Sequence, residues 1–209
     1  VERPAGDAAS RIVTAVNREA MLSVSGVDVV HAAVASLGDV TVVIPAHSGS
    51  GKSTLSAALT AAGFTYFSDE LAPIHPDLTV EAFPKPIVVG PGSMGVLKEL
   101  ASADIGDGRL GRWFLEPDRL SGGRALVGER RTVTHVVVPR YSPGAATAVR
   151  VPSPGEVAAT LFVSSFNLAT RKRTGLEHLA SVATRAAAFE VTHSDAHELA
   201  KLLRDRLSA

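Results

Sequence analysis

The sequence predicts one α/β domain, a mixed β-sheet flanked by helices, and three observations predict it. Short β-branched runs such as 40–44 (Val-Thr-Val-Val-Ile) and 132–138 have the length and composition of buried strands. Helix-period apolar residues occur between them, as with Leu55, Ala58, Leu59 and Ala62 after the first run. A Gly38-Asp39 turn signal joins two strand-like stretches into a hairpin, so antiparallel pairing must stand beside helical crossovers.

The elements follow in order. Residues 1–6 read as a loose end, and 12–34 mix β-branched runs with Gly26, which suggests strands pairing ahead of 40–44. The hairpin has arms 29–36 and 40–44, with His31 on the first arm. A helix through Ala62 stops at Gly63, and Phe64-Thr65-Tyr66-Phe67 is a short strand ending in Ser68-Asp69-Glu70. Proline-rich 71–91 is expected to be an extended surface connection, 94–100 one or two helical turns, and 104–123 the most mobile segment, with Trp113 as a packing anchor. Strand 132–138 is expected to pair with 147–151 across Ser142-Pro143-Gly144. Ser153-Pro154-Gly155-Glu156 is a capping box opening a helix to about Phe166, and Thr174-Gly175-Leu176-Glu177 reads as a second box opening a helix through Ala187. A strand at 189–192 and an amphipathic helix at 197–207 close the chain.

Composition narrows the function. At 209 residues the chain can bury one substantial core and is too short for two ordinary domains, so a single domain over 1–209 is expected. The sequence begins at Val1, and a preceding N-terminal region is kept open. Lysine plus arginine equals aspartate plus glutamate at 21 each, so no global field recruits nucleic acid or an acidic membrane. Nothing approaches the roughly 18 uninterrupted apolar residues that a membrane span needs. The absence of cysteine removes disulfides and thiolate metal sites, and a cytoplasmic location is expected.

The chemistry concentrates between strand 40–44 and the helix after it. Ala46-His47-Ser48-Gly49-Ser50-Gly51-Lys52-Ser53 has the make-up of a phosphate-binding loop, with Ala46 in place of the usual first glycine. Gly49 and Gly51 let successive N–H groups turn inward, and the helix start adds its positive end. Ser48, Gly49, Ser50, Gly51, Lys52, Ser53 and Thr54 are therefore the expected ATP-binding residues. Lys52 would reach the β- and γ-phosphates, and the Ser53 hydroxyl would ligate Mg²⁺. Asp69 and Glu70, one helix further on, stand where such folds supply a metal-organising carboxylate and a base, with Asp69 as the expected second Mg²⁺ ligand. Lys85, between Pro84 and Pro86, could be held toward an anion, although a lysine in such a place is more often solvated.

Three of these features together resemble the HPr kinase/phosphorylase superfamily, specifically its catalytic domain and shorter related serine kinases. They are the loop 47–53, the acidic pair Asp69-Glu70 after a single helix, and His31, 15 residues before Ala46. The resemblance covers 24–73 well and implies a P-loop kinase fold. It implies that Lys52 and Ser53 hold the nucleotide phosphates and Mg²⁺, that Asp69 or Glu70 takes the proton from an attacking serine hydroxyl, and that His31 sits near the transferred phosphoryl group. It further implies a serine-bearing protein, peptide or small-molecule acceptor, with the sugar-transport carrier protein itself less expected than another serine-bearing substrate, and it suggests a homo-oligomer. His47 is expected to line the site; the other histidines show no metal-ligand spacing.

Two other readings stand beside the kinase. The first is a nucleotide-binding regulatory module without phosphoryl transfer. The second is a transporter-type ATPase, since Leu120-Ser121-Gly122-Gly123-Arg124 resembles the signature of that class. The strand after that stretch, however, ends in Pro139-Arg140 rather than an acid, so Ser121-Gly122-Gly123 reads as a turn.

Overall fold

The hairpin 28–45 is the centre from which the sheet extends both ways. A computed structural model describes Glu19 and residues 25–46, 50–97 and 113–208. Strand β1 (Asp28–Leu37) turns at Gly38, which adopts φ +57°, and pairs antiparallel with β2 (Val40–Pro45) from Leu37↔Val40 to Ala32↔Pro45. Beyond β2 lie β9 (His135–Tyr141), β11 (Ala187–His193) and β10 (Ala148–Arg150), with β9 parallel to both β2 and β11. The other edge of β1 carries β3 (Thr65–Ser68) and β4 (Leu71–Ile74), followed outward by β5 (Thr79–Glu81) and β8 (Arg130–Thr132). The sheet is mixed, as the hairpin signal predicts.

Alternation along the hairpin decides which helices cover which face. Val30, Ala32, Val34 and Val43 enter one buried cluster with Val157 and Leu161 of α3 (Pro154–Val163) and Leu179 and Val182 of α4 (Leu168–Arg185). Ala33, Ala35, Val42 and Ile44 point the other way. They pack with Leu55, Ala58 and Leu59 of α1 (Lys52–Ala61) and Leu199 and Leu203 of α5 (Ala196–Leu207). A third cluster joins Ala57 and Tyr66 to a separate antiparallel pair of strands, β6 (Ile87–Val89) and β7 (Trp113–Leu115), with half-buried Trp113 against it as the expected anchor.

Several expectations are corrected. Segment 71–91 is no surface connection: it supplies β4, β5, β6 and the start of α2 (Pro91–Val96), and Leu71, Ala72, Ile74, Val80, Ile87 and Val89 are buried. The prolines hide an apolar alternation, because Pro73 needs no ladder donor where it lies opposite Val29. The 132–138 strand is two, β8 and β9, in different parts of the sheet. Strand β10 pairs with β11 rather than with β9, since β11 inserts between them. The break before the C-terminal part of α4 falls at Lys172 (φ 52°) and not at a box on Thr174, and Ala187 already belongs to β11. The Ser153 box is formed as expected, with Ser153 accepting from the Glu156 N–H. Within 104–123, residues 104–112 lie outside the described residues, and 113–123 hold β7, a 3₁₀ turn (Pro117–Arg119) and the Ser121-Gly122-Gly123 turn. Among the described residues no helix is long and apolar enough to cross a membrane.

Candidate functional site at the strand ends beside β1

The register around β1 brings the separated motifs to one level. Strand β2 ends with Pro45 opposite Ala32. On the other edge Ser68 pairs with Val34 and Leu71 with His31, so Asp69 and Glu70 pass Ala33 and Ala32 without joining the ladder. The break is satisfied locally, because the buried Ser68 Oγ accepts from the N–H groups of Glu70 at 3.2 Å and Leu71 at 3.0 Å. Where β2 stops, 164–166 takes its place beside β1: the His31 N–H donates to the Ser164 carbonyl and the Phe166 N–H to the Val29 carbonyl. His31 therefore sits where the loop leaves the sheet, its ring 5.1 Å from that of Phe166.

The loop itself is described from Ser50 onward; His47, Ser48 and Gly49 lie outside the described residues. Gly51 caps α1 at φ +84°, a left-handed conformation that glycine adopts without strain. The first turn of α1 holds no acid and receives no side-chain cap, so its backbone N–H groups keep their positive end toward the loop. Lys52 is 7% exposed and its ammonium donates to the Ala46 carbonyl at 2.7 Å, closing the loop on itself. Burial pushes the Lys52 pKa below its ordinary value, against the pull of the Asp69 and Glu70 charges.

Asp69 is the hub. It is 4% exposed and accepts three hydrogen bonds. The Ser53 hydroxyl donates to Oδ2 at 2.7 Å, while the Tyr66 hydroxyl at 2.9 Å and the Lys85 ammonium at 2.7 Å both donate to Oδ1. Burial, followed by the charge of Asp69, drives the Tyr66 pKa well up, so this hydroxyl serves only as a donor at neutral pH. Lys85 also lies 3.6 Å from Glu70 Oε2, and the Glu70 side chain is 34% exposed. Thr54 donates to Ser93 at 2.7 Å, tying the start of α1 to α2.

No family model matches this chain, and no curated protein does. Among solved structures the chain is similar to the HPr(Ser) kinase/phosphatase from Coxiella burnetii, at 13% identity and a TM-score of 0.44, over 86% of this chain and 93% of that one. A likeness at that score is too loose to carry a conclusion about chemistry.

Of the residues singled out by sequence, Lys52, Ser53, Asp69, Glu70 and His31 meet at this level of the sheet, with Ser50, Gly51 and Thr54 alongside. Tyr66, Ser68 and Ser93 belong to no site motif in the sequence, and Lys85, whose place between prolines more often marks a solvated lysine, is 17% exposed and paired. The signal for Lys85 was its position between two prolines. Tyr66 carried only the weak signal of a polar-tipped aromatic three residues before an acid.

A nucleotide and a magnesium ion fit what is present. Ser50 Oγ is buried and meets no partner among the described residues, as a phosphate-facing hydroxyl would. The Ser53 hydroxyl and Asp69 carboxylate are hard oxygen donors of the kind magnesium takes. Among the described residues no group of three His, Cys, Asp or Glu could hold a metal unaided. A magnesium ion would draw its remaining ligands from phosphate and water, as is usual for it.

Proposed function

We propose that the chain is a P-loop phosphotransferase of the HPr-kinase catalytic-domain kind, moving the γ-phosphoryl group of Mg·ATP to a serine hydroxyl. The observation that carries the reading is the Ser53–Asp69 hydrogen bond of 2.7 Å, which joins the hydroxyl following the loop lysine to an acid one helix further on. When bound, Mg·ATP would supply the transferable phosphoryl group and the cation that neutralises its charge. Backbone N–H groups at 50–53 would hold the phosphates, and Lys52 would leave the Ala46 carbonyl for them. Ser53 and Asp69 would hold the cation.

The two acids divide the remaining work. Asp69 already accepts three hydrogen bonds, which suits an orienting ligand and leaves little capacity to take a proton. Glu70, a third exposed, is the base in this reading. It accepts the acceptor's serine proton as the new O–P bond forms, the bond from the γ-phosphorus to its bridging oxygen breaks and ADP departs. His31 borders the same space.

Calorimetric titration of Mg·ATP into the parent and into Lys52→Ala tests the reading. The parent should bind and the variant should not, whereas a parent that fails to bind overturns the proposal. Glu70→Gln should bind Mg·ATP like the parent yet lose roughly 10²- to 10⁴-fold in turnover with labelled ATP and serine-bearing acceptors. Turnover at the parent rate would remove Glu70 from the mechanism.

A further inference from the structure

Lys85 is the charged group that phosphoryl transfer, as described above, does not use. Its ammonium stands 2.7 Å from Asp69 Oδ1 and 3.6 Å from Glu70 Oε2, on a side chain only 17% exposed. The backbone holds it there: Pro84 and Pro86 restrict the chain on either side, and the Phe83 N–H donates to the Phe67 carbonyl at the end of β3. Two adjacent carboxylates in a half-buried place repel each other without a counter-charge. The other nearby ammonium, Lys52, also lies in the field of both acids and donates to the Ala46 carbonyl, while the hydrogen bond to Asp69 Oδ1 is made by Lys85.

The carboxylate that Lys85 grips is also the one bonded to the Ser53 hydroxyl. A divalent cation held by Ser53 and Asp69 would therefore face an ammonium already on that carboxylate, and like charges so close in a poorly hydrated site oppose each other strongly. We propose that Lys85 is the resident counter-ion of the Asp69–Glu70 pair and exchanges with the divalent cation, leaving Asp69 when the metal arrives. The four-carbon stem and strongly hydrated head of lysine suit such a retreat, where the planar fork of arginine would resist it. Lys85 is thus a positioning residue that acts through Asp69. The proposal rests on the phosphotransferase reading in taking Ser53 and Asp69 as the metal's ligands.

Residue-resolved acetylation, read by mass spectrometry, tests the exchange on the parent protein, with exposed Lys201 as internal control. Without metal Lys85 should label slowly. Mn²⁺ alone should raise its labelling about tenfold, the factor matching loss of one charge-assisted hydrogen bond, while Lys201 stays constant. Independently, Lys85→Met should bind Mn²⁺ about tenfold more tightly than the parent in the absence of nucleotide, followed by electron paramagnetic resonance. Lys85→Arg should bind it no more tightly than the parent. Unchanged Lys85 labelling in a protein that binds Mg·ATP overturns the exchange and leaves the phosphotransferase reading standing. A parent that binds neither Mn²⁺ nor Mg·ATP overturns both.

Discussion

Replacing Asp28 by asparagine should destabilise the domain by about 3 kcal/mol at pH 7. Asp28 is fully buried at the start of β1 and accepts from Arg171 Nε at 3.0 Å, from Arg171 Nη2 at 3.4 Å and from His178 Nδ1. Gly175 leaves the room for this arrangement, since a Cβ there would stand 2.9 Å from Asp28 Oδ1. Burial pushes the Asp28 carboxyl up, and the His178 and Arg171 bonds and charges outweigh it, so the group titrates below its ordinary value. Asparagine keeps the shape and removes the charge, leaving two largely buried donors short of a partner. A hydrogen bond to a charged group contributes about 1.5–3 kcal/mol, and breaking one side of a buried pair costs about 3–5 kcal/mol. Arg171 retains 17% exposure and its Nη2 bond is long, so the lower figure applies. For a chain of this size the loss corresponds to roughly 6–12 °C in Tm. The sign with pH follows from the depressed folded pKa. The contribution is complete above the ordinary carboxylate value and is lost as pH falls through the folded one, so the gap between parent and variant should hold steady above about pH 5 and begin to narrow below about pH 4. Urea unfolding across that range reads both effects. A variant with the parent's midpoint at pH 7, or a gap that persists on acidification, refutes the reasoning.

Two further changes test the packing around the site. Tyr66→Phe removes one donor from Asp69 and leaves the ring in the core, so unfolding should show a loss of about 1–2 kcal/mol, while calorimetry shows weaker Mg·ATP binding; parent stability would mean that the hydroxyl does not hold the acid. Gly122→Ala would place a Cβ 1.9 Å from the Phe64 carbonyl oxygen. This should cost about 3 kcal/mol by urea unfolding, and an unperturbed variant would contradict the tight seating of the Ser121-Gly122-Gly123 turn beside the end of α1.

The parts legible in sequence were those whose signal is local. Gly38-Asp39 announced the hairpin, Ser153 and Glu156 the start of α3, and the Gly-Ser-Gly-Lys-Ser run the turn into α1. Strand partners were less accessible, because pairing is a property of distant segments. Nothing in 147–151 says that β11 will insert between it and β9. Segment 71–91 misled for a different reason: its prolines are surface signals, yet Pro73 sits opposite Val29 where it sacrifices no needed bond, while Leu71, Ala72 and Ile74 carry the strand inward. The same surface signal favours a solvated Lys85 over one held toward an anion. Once 71–91 lies against the sheet, a lysine fixed between two prolines is directed at whatever the neighbouring strand end presents, and that is Asp69.

The meeting of loop and acids is then a consequence of register on β1. Pro45 faces Ala32 on one edge, and the ladder carries Asp69 and Glu70 past Ala33 and Ala32 on the other, so both departures from the sheet fall at the same height. They are separated by two inter-strand steps, about 10 Å, with only small side chains on the strand between them. The span is short enough for Ser53, in the first turn of α1, to reach Asp69 from above that strand. A one-residue slip of β3–β4 along β1 would turn Asp69 to the opposite face of the sheet, toward α3 and α4 and away from α1. The bond between Ser53 and Asp69 therefore depends on the pairing of β1 with both neighbours as much as on the two residues that form it. That is why the acids could be suspected from their spacing in sequence, while their relation to the loop required the sheet.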